Sequence, residues 1–195
     1  MKFQISVAQD FKERMSLNCG TASQLVIENA QGKAREVAEK EKEALVIGCD
    51  TVIVFENEVL GKPNSSRGDH KMPMETDRKE AKQRARRTLQ KLSGEQHTVI
   101  SGLAIIDTIT NKEVTACQET TVTFRKLTDQ EIEAYVATGE PFDKAGAYGI
   151  QGIGGQLVEG VDGSISNVMG LPQELLVRLL KEFELELGYS CSEKV

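Results

Sequence analysis

The sequence predicts an α/β or α+β fold. Segments with helical periodicity alternate with short apolar segments typical of strands. Two long β-rich segments, "HTVISGLAIIDTI" and "EVTACQETTVTFRKL", lie on either side of the turn "TNK" and predict an antiparallel hairpin. With 195 residues, of which 39% are hydrophobic, the chain is long enough for one domain or one elongated two-lobed unit with a substantial core.

The first part of the chain predicts two strand regions around a helix. The segment Lys2–Val7 ("KFQISV") alternates in the manner of a strand. A helix is predicted from roughly Thr21 to Lys42. Strands follow in "ALVIGCDTVIVF" and "EVL", joined by a turn at "ENE". The inward face of the predicted helix carries residues three or four positions apart, namely Val26, Ala30, Lys33 and Val37.

The polar segment 64–79 lacks periodicity and predicts a surface loop or insertion. A second helix is predicted to run from there to about Leu92, before the hairpin. Its charged run "RKEAKQRARR" is interpreted as a solvated helix face.

Beyond the hairpin, Thr128 and Glu131 form a predicted capping box for a helix through Thr138. The segment "DKAGAYGIQGIGG" is too rich in glycine for an ordinary helix or strand. A last helix is predicted to begin near Pro172 and to end before Gly188, followed by a tail at 189–195.

Composition excludes several classes of function. The net charge of −6 argues against a surface for nucleic acid, because phosphate backbones require basic patches, although a small anionic ligand remains compatible with it. No apolar run is long enough to cross a membrane, and we expect a cytoplasmic location. The cysteines show no CxxC spacing, so neither a zinc site nor a disulfide framework is predicted: Cys19, Cys49, Cys117 and Cys191.

Two charged residues flank the segment "GCDTVIVFENEVLGKP". Asp50 follows the buried run "LVIG", where a carboxylate at the end of a strand could bind Mg²⁺ or act as a general base. A turn-forming or capping Asp is the alternative. Lys62 precedes Pro63, which favours an extended backbone that could direct the amine into a cleft, and a solvated turn lysine is the alternative.

Lys33 interrupts the apolar face of the first predicted helix. Its amine must therefore reach solvent or meet an anion, and the sequence leaves both possibilities open. The glycine-rich segment 143–152 offers amides that could approach a ligand closely, with Asp143, Lys144 and Gln151 interleaved. The two histidines, His70 and His97, lack a neighbouring nucleophile and are predicted to have surface roles.

Together, several segments resemble the Maf (septum-formation) family of nucleoside triphosphate pyrophosphatases. They are, in family order, "GCDTVIV", "LGKP", "LSGEQHTVISG", "ETTVTF", "YVATGEPFDKAGAYGIQG" and "SISNVMGLP". The resemblance implies an elongated, mixed α/β sheet with a nucleotide-binding cleft between two lobes, and a single domain over residues 1–188. It also implies a reaction in which a metal-activated water attacks the α-phosphorus, releasing a nucleoside monophosphate and pyrophosphate. The pairing of "DTV" with "GIQG" resembles the subgroup that acts on dTTP and UTP.

The resemblance also implies roles for individual residues. Asp50 matches the catalytic acid and metal ligand, Lys33 and Lys62 match catalytic lysines, and Glu13 matches a second acidic metal ligand. Mg²⁺, or another divalent cation such as Mn²⁺, is the implied cofactor, and a homodimer is the implied assembly. Substrate binding is implied for four matched positions, of which the first two are associated with base choice: Thr51, Gln151, Lys144 and Asp143.

The sequence departs from the family pattern at its start. Family members open with a strand and a loop approximating "LASxSPRR", whereas this sequence opens with "MKFQISV" and is therefore expected to be truncated at the N-terminus. Arginines of such a loop would bind the triphosphate, so two alternatives to the active enzyme remain. One is a non-catalytic nucleotide-binding or dimerisation module, and the other is an unstable fragment.

Overall fold

The computed structural model describes residues 4–14, 20–64 and 75–183. It confirms a fold in which helices flank one β-sheet. The helices are α1 (Ala22–Ala38), α2 (Glu75–Leu92), α3 (Asp129–Ala137), α4 (Ile165–Val168) and α5 (Gln173–Leu180). The strands are β1 (Leu45–Phe55), β2 (Glu58–Leu60), β3 (Gln96–Asp107), β4 (Glu113–Phe124) and β5 (Val158–Asp162). Short 3₁₀ helices cover Glu140–Asp143, Ala145–Ala147, Ile153–Leu157 and Lys181–Phe183.

The five strands lie in the order β2-β1-β3-β4-β5. The family resemblance implied a mixed sheet, and every neighbouring pair among the described strands is antiparallel. Short turns explain this pattern for β1–β2 and β3–β4, because strands joined by a hairpin must run in opposite directions. The turn between β1 and β2 places Glu56 and Asn57 at φ of 49° and 63°, as a two-residue hairpin turn requires.

One edge of β1 is largely unpaired within the described residues. The strand β2 is only three residues long and pairs only with Ile53–Phe55. On the other side, β3 pairs with β1 from Leu45 to Val54. The part of β1 that precedes Ile53 therefore has a hydrogen-bonded partner on one side alone, and side chains from both of its faces can reach this edge.

Helix α1 covers one face of the sheet at very close range. A Cβ atom at Gly48 would lie 2.3 Å from the carbonyl oxygen of Ala30, and one at Gly102 would lie 2.5 Å from the backbone of Val26. Only glycine permits this approach. The two glycines therefore fix the distance between α1 and the strands β1 and β3.

The opposite face of the sheet is covered in two parts. Leu175 and Leu179 of α5 pack against Leu103 of β3. Helices α2 and α3 form a larger cluster with the remaining part of that face, centred on the fully buried Phe124 and Leu89. Apolar burial on both faces of long strands is the main stabilising contribution expected for such a layered sheet.

Most predicted elements are confirmed, since the capping box at Thr128, the hairpin and the start of the last helix lie where local signals placed them. The first helix ends at Ala38, before the predicted Lys42, and the predicted end of the last helix lies outside the described residues. Thr21 and Thr128 each cap a helix and form a capping box with the residue three positions later. The predicted strand over Lys2–Val7 is wrong in its described part, where residues 4–8 form no regular structure. Ile5 and Val7 are 84% and 74% exposed, so an alternating pattern alone does not produce a strand. The predicted polar loop over 64–79 is wrong at its end, because residues 75–79 already belong to α2. Residues 65–74 of that loop and the tail at 189–195 lie outside the described residues.

Candidate active site

A cleft of about 640 Å³ lies along the open edge of β1. Its walls come from α1, β1, the turn after β2, the 3₁₀ helices after α3, and the end of α4. The structure brings together all eight residues that the sequence predicted for a site: Glu13, Lys33, Asp50, Thr51, Lys62, Asp143, Lys144 and Gln151.

Asp50 lies in the middle of β1, so its prediction as a residue at the end of a strand is wrong. The strand continues because the following residues remain paired with β3, and Asp50 itself lies opposite Gly102. Its carboxylate is 8% exposed and faces α1. Asn29 donates a hydrogen bond to Oδ2 at 3.0 Å, and Lys33 Nζ contacts Oδ1 at 2.6 Å. Both carboxylate oxygens are thus held in fixed positions by α1.

The amine of Lys33 is paired with anionic groups and does not simply extend into solvent. Its Nζ atom lies 2.6 Å from Oδ1 of Asp50, 2.6 Å from Oε1 of Glu13 and 3.3 Å from the carbonyl oxygen of Cys49. Partial burial lowers the pKa of Lys33, but the two carboxylates outweigh this effect and leave the pKa above its ordinary value. Lys33 therefore carries a permanent positive charge at the base of the cleft.

Glu13 reaches the cleft because the segment that carries it is fixed to α1. The backbone amides of Gln9, Asp10 and Phe11 all donate to the carboxylate of Glu36. These bonds, with that of Gln9 as the largest contribution, lower the pKa of Glu36 to about 2. A side chain on α1 thereby orders a segment that has no regular structure of its own.

Asn29 connects that segment to Asp50. Its side chain accepts a hydrogen bond from the backbone amide of Arg14 at 2.9 Å and donates one to the carbonyl oxygen of Arg14 at 2.9 Å. The same Nδ2 atom donates to Asp50. Asn29 is 1% exposed, so it is a buried polar residue whose partners are all fixed.

The turn that carries Lys62 is fastened to neighbouring elements. Arg84 of α2 donates to the carbonyl oxygen of Pro63 at 2.7 Å, and the amide of Asn64 donates to the carbonyl oxygen of Phe142 at 3.1 Å. Both Lys62 and Lys144 line the cleft, and Lys144 forms a partly exposed ion pair with Asp143 at 2.7 Å. The cleft lining therefore combines three lysines with four carboxylates: Glu13, Asp50, Glu140 and Asp143.

A single carboxylate organises the glycine-rich segment. Glu140 accepts hydrogen bonds from the amides of Ile153 and Gly154, at 2.9 and 3.0 Å, and from the hydroxyl of Tyr135 at 2.9 Å. Partial burial raises the pKa of Glu140, but these donors outweigh it and the pKa lies below its ordinary value. The amide of Gly149 donates to the Tyr135 hydroxyl at 3.4 Å. The exposed Gln151 lies in the cleft lining, on the loop between Gly149 and the two amides that Glu140 binds.

The predicted surface role of His97 is wrong. Its ring is 2% exposed and lies edge-on against Phe124 and Tyr148, and Nε2 is 2.8 Å from the Tyr148 hydroxyl. Burial lowers the pKa of His97 to about 4. The alternation of β3 turns this side chain toward the large core cluster, which its neighbours in sequence did not reveal. His70 lies outside the described residues.

Comparison with known proteins identifies the family of this chain. A family model described as "Maf-like protein" matches residues 1–183. The chain belongs to the Maf family. A protein of Clostridium botulinum (strain Kyoto / Type A2) named "dTTP/UTP pyrophosphatase" is 45% identical over 188 residues, which cover 95% of this chain and 88% of that protein.

Two other relatives of this Maf-family chain carry the same name. The protein of Dictyoglomus thermophilum is 42% identical over 167 residues, covering 86% of this chain and 76% of the relative. The protein of Clostridium novyi is 41% identical over 186 residues, covering 95% and 88%. The resemblance to the subgroup that acts on dTTP and UTP is confirmed to the extent that these relatives bear that name.

Sequence reasoning missed three residues that shape the cleft of this Maf-family chain: Asn29, Arg14 and Glu140. Asn29 could have been found, because it lies four residues before Lys33 and therefore on the same face of the predicted helix. Glu140 is the first residue of a 3₁₀ helix and directly precedes Pro141, and the sequence gave no signal of its contacts across the loop.

The donor set fits a divalent cation only together with a substrate. In the parts of the chain that the structure describes, no group of three or more His, Cys, Asp or Glu side chains is arranged to hold a metal. Glu13 and Asp50 each have an oxygen 2.6 Å from the same nitrogen of Lys33, so these two oxygens are at most twice that distance apart. Mg²⁺ commonly takes one or two carboxylates and completes its shell with water and substrate phosphates. Glu13 and Asp50 match that requirement.

The described residues contain no helix with both the length and the apolar character needed to span a membrane.

Proposed function

We propose that this chain hydrolyses dTTP, UTP and related or modified pyrimidine nucleoside triphosphates to the monophosphate and pyrophosphate. The observation that carries the proposal is the convergence of Asp50, Lys33 and Gln151 on one cleft, in a chain similar to three proteins named dTTP/UTP pyrophosphatase. The cleft volume of about 640 Å³ falls within the range of small-molecule sites. The names of these relatives favour the enzyme over the alternative of a non-catalytic nucleotide-binding module.

The reaction requires a water oxygen to form a bond to the α-phosphorus while the bond to the oxygen bridging to the β-phosphorus breaks. The water gives up a proton and pyrophosphate leaves. Asp50 is the group proposed to orient this water and to take its proton, because its orientation is fixed by Asn29 and Lys33. Because the base is already held in one geometry, less entropy is lost when the transition state forms.

Positive charge at the cleft would stabilise the phosphate oxygens as charge develops on them. Lys33 stays protonated because of its carboxylate partners, and Lys62 lines the same cleft. Phosphoryl transfer depends chiefly on such positioning and electrostatics, so no nucleophilic Ser or Cys is needed. Burial raises the pKa of the nearby Cys49 thiol to about 11, which is consistent with an inert cysteine.

Mg²⁺ or Mn²⁺, when bound, would neutralise the phosphates and lower the pKa of a water molecule. Glu13 and Asp50 are the residues proposed to hold it, and both are positioned by α1 and its contacts. Thr51 and Gln151 are proposed to read the base, since both line the cleft and can form hydrogen bonds.

Comparison of the natural protein with Asp50→Asn tests the proposal. Pyrophosphate release from UTP and dTTP is measured with and without Mg²⁺. The amide keeps the size of the carboxylate but cannot take a proton, so we expect kcat to fall by at least about 100-fold. Asp162→Asn, an exposed position on β5, is the matched control and is expected to retain full activity.

Equal rates for Asp50→Asn and the natural protein would remove Asp50 from the mechanism. If the natural protein binds UTP yet releases no pyrophosphate, the chain is the non-catalytic module instead. Two finer expectations also stay predictions, a homodimer and a cytoplasmic location. Light scattering coupled to size-exclusion chromatography tests the first, and microscopy of a tagged chain tests the second.

A further inference from the structure

Thr51 is the first member of a chain of hydrogen bonds on the face of β1 opposite to Asp50. Its Oγ1 atom lies 2.8 Å from Oγ of Ser101, its direct cross-strand partner on β3. Ser101 is 0% exposed, and its hydroxyl donates to the carbonyl oxygen of Asn167 at 3.3 Å. We call the sequence Thr51 hydroxyl, Ser101 hydroxyl, Asn167 carbonyl the Thr51 relay.

The end of the Thr51 relay is rigidly held. Asn167 is 0% exposed, and its side-chain Nδ2 donates to the carbonyl oxygen of Val99 at 3.1 Å and to the hydroxyl of Thr120 at 2.9 Å. The position of its backbone carbonyl is therefore fixed by buried contacts with β3 and β4. Ser101 cannot turn away to solvent, because it has no exposed surface.

Each hydroxyl has only one proton, and this decides the direction of the relay. When Ser101 gives its proton to Asn167, Ser101 can only accept from Thr51. When Ser101 instead gives its proton to Thr51, the Thr51 proton can go to the carbonyl oxygen of Gly170 at 3.4 Å. In both arrangements the Thr51 proton stays within the protein, and a lone pair of Oγ1 remains for the cleft.

A ligand that needs a donor from Thr51 would break this pattern. Thr51 would then have to withdraw its proton from Ser101 or Gly170, and Ser101 would have to turn its proton from Asn167 to Thr51. One buried hydrogen bond would be lost. A ligand that donates to Thr51 adds a bond and leaves the relay intact. The relay thus favours ligands that present an N–H group at this position.

Uracil and thymine present such a group at N3, whereas N3 of cytosine carries a lone pair. Resting on the proposed function, we propose that Ser101 is a positioning residue that makes Thr51 Oγ1 an acceptor for the N3–H of uracil or thymine. Through this effect Ser101 contributes to the rejection of cytidine nucleotides. Ser101 is buried behind Thr51 and does not itself contact the nucleotide.

The test is a double-mutant cycle with Ser101→Ala, Thr51→Val and the double variant. The quantity measured is the ratio of kcat/KM for UTP to that for CTP. The same ratio is measured for the dissociation constants of UMP and CMP by calorimetry, because these products are not turned over. Unfolding midpoints of all variants are recorded to exclude misfolded protein.

In Ser101→Ala we expect the UTP-to-CTP ratio to fall about fivefold, which corresponds to one neutral hydrogen bond. Thr51→Val should lower it at least as much, and adding Ser101→Ala to Thr51→Val should change it no further. The kcat for UTP should change less than the ratio, since the relay lies away from Asp50.

Two results would overturn the inference. If Ser101→Ala lowers the rates for UTP and CTP equally, the residue serves only the packing of β3. If it lowers the ratio equally in the Thr51→Val background, it does not act through Thr51. Should the natural protein bind UMP and CMP but hydrolyse neither triphosphate, the proposed function falls while the binding ratios still decide the role of the relay. Failure to hydrolyse either triphosphate together with failure to bind either product would overturn both proposals.

Discussion

The carboxylate of Glu140 provides a direct test of how the cleft wall is built. We expect Glu140→Gln to raise KM for UTP with a smaller change in kcat. Glu140 is the common acceptor for the amides of Ile153 and Gly154 and for the Tyr135 hydroxyl. The glutamine side chain keeps one acceptor oxygen. Its NH₂ group is itself a donor, so it cannot accept a hydrogen bond from the backbone N–H that it faces.

The magnitude follows from these three bonds. The amide oxygen can take the place of Oε1 and keep the bonds from Gly154 and Tyr135, so only the bond from Ile153 to Oε2 is lost. One lost hydrogen bond destabilises the native loop by about 1 kcal/mol, and 1.4 kcal/mol corresponds to a factor of ten. We expect KM to rise by about fivefold, because the loop carries Gln151 while Asp50 and Lys33 are held by α1.

The assay is steady-state release of pyrophosphate from UTP at neutral pH. Glu159→Gln, at an exposed position of β5, removes the same charge without a role in the loop and should leave KM unchanged. A KM within twofold of the natural value for Glu140→Gln would show that the carboxylate does not order the substrate-binding wall. An equal KM increase in Glu159→Gln would assign the effect to overall charge.

Two other perturbations follow from the core. Burial lowers the pKa of His97 to about 4 in the folded chain. Below about pH 6.5 the unfolded chain therefore binds a proton that the folded chain excludes. Stability is retained above that pH and is lost as the pH falls toward 4. The unfolding temperature of the natural protein should therefore drop between pH 7 and pH 5, whereas His97→Phe should show a shallower drop, and parallel pH profiles would contradict this. Gly102→Ala should lower both the free energy of unfolding, by about 1–3 kcal/mol, and kcat, because the new Cβ displaces α1 from Asp50. Denaturant titration and UTP hydrolysis measure these effects, and unchanged kcat would show that the α1 position is not critical.

Prediction from the sequence succeeded where the signal was local. Thr128 with Glu131 capped a helix as predicted, because both hydrogen-bond partners lie within four residues of each other. The strand pattern of β1 and the turn at Glu56 were also local features. The pattern of Lys2–Val7 was equally strand-like but failed in its described part, because a strand exists only where another strand pairs with it.

The candidate site was predicted partly from residues and partly from family resemblance. The sequence indicated that Lys33 interrupts an apolar face and must reach solvent or meet an anion. It could not say which, since the partners Asp50 and Glu13 lie at distant positions in the chain. Glu140 was missed for the same reason, because its two backbone donors are thirteen and fourteen residues away and become neighbours only when the loop folds.

Taken by itself, the amino-acid order of this protein determined which segments become helices and strands, and which side chains bring charge. Tertiary structure alone decided that α1 lies against β1 and β3, that the edge of β1 opens into a cleft, and that His97 is enclosed. The physical reason is that caps, turns and periodicity act over a few residues. Close helix–sheet approach and buried ion pairs depend on contacts between residues far apart in the chain, which form only as the whole core packs.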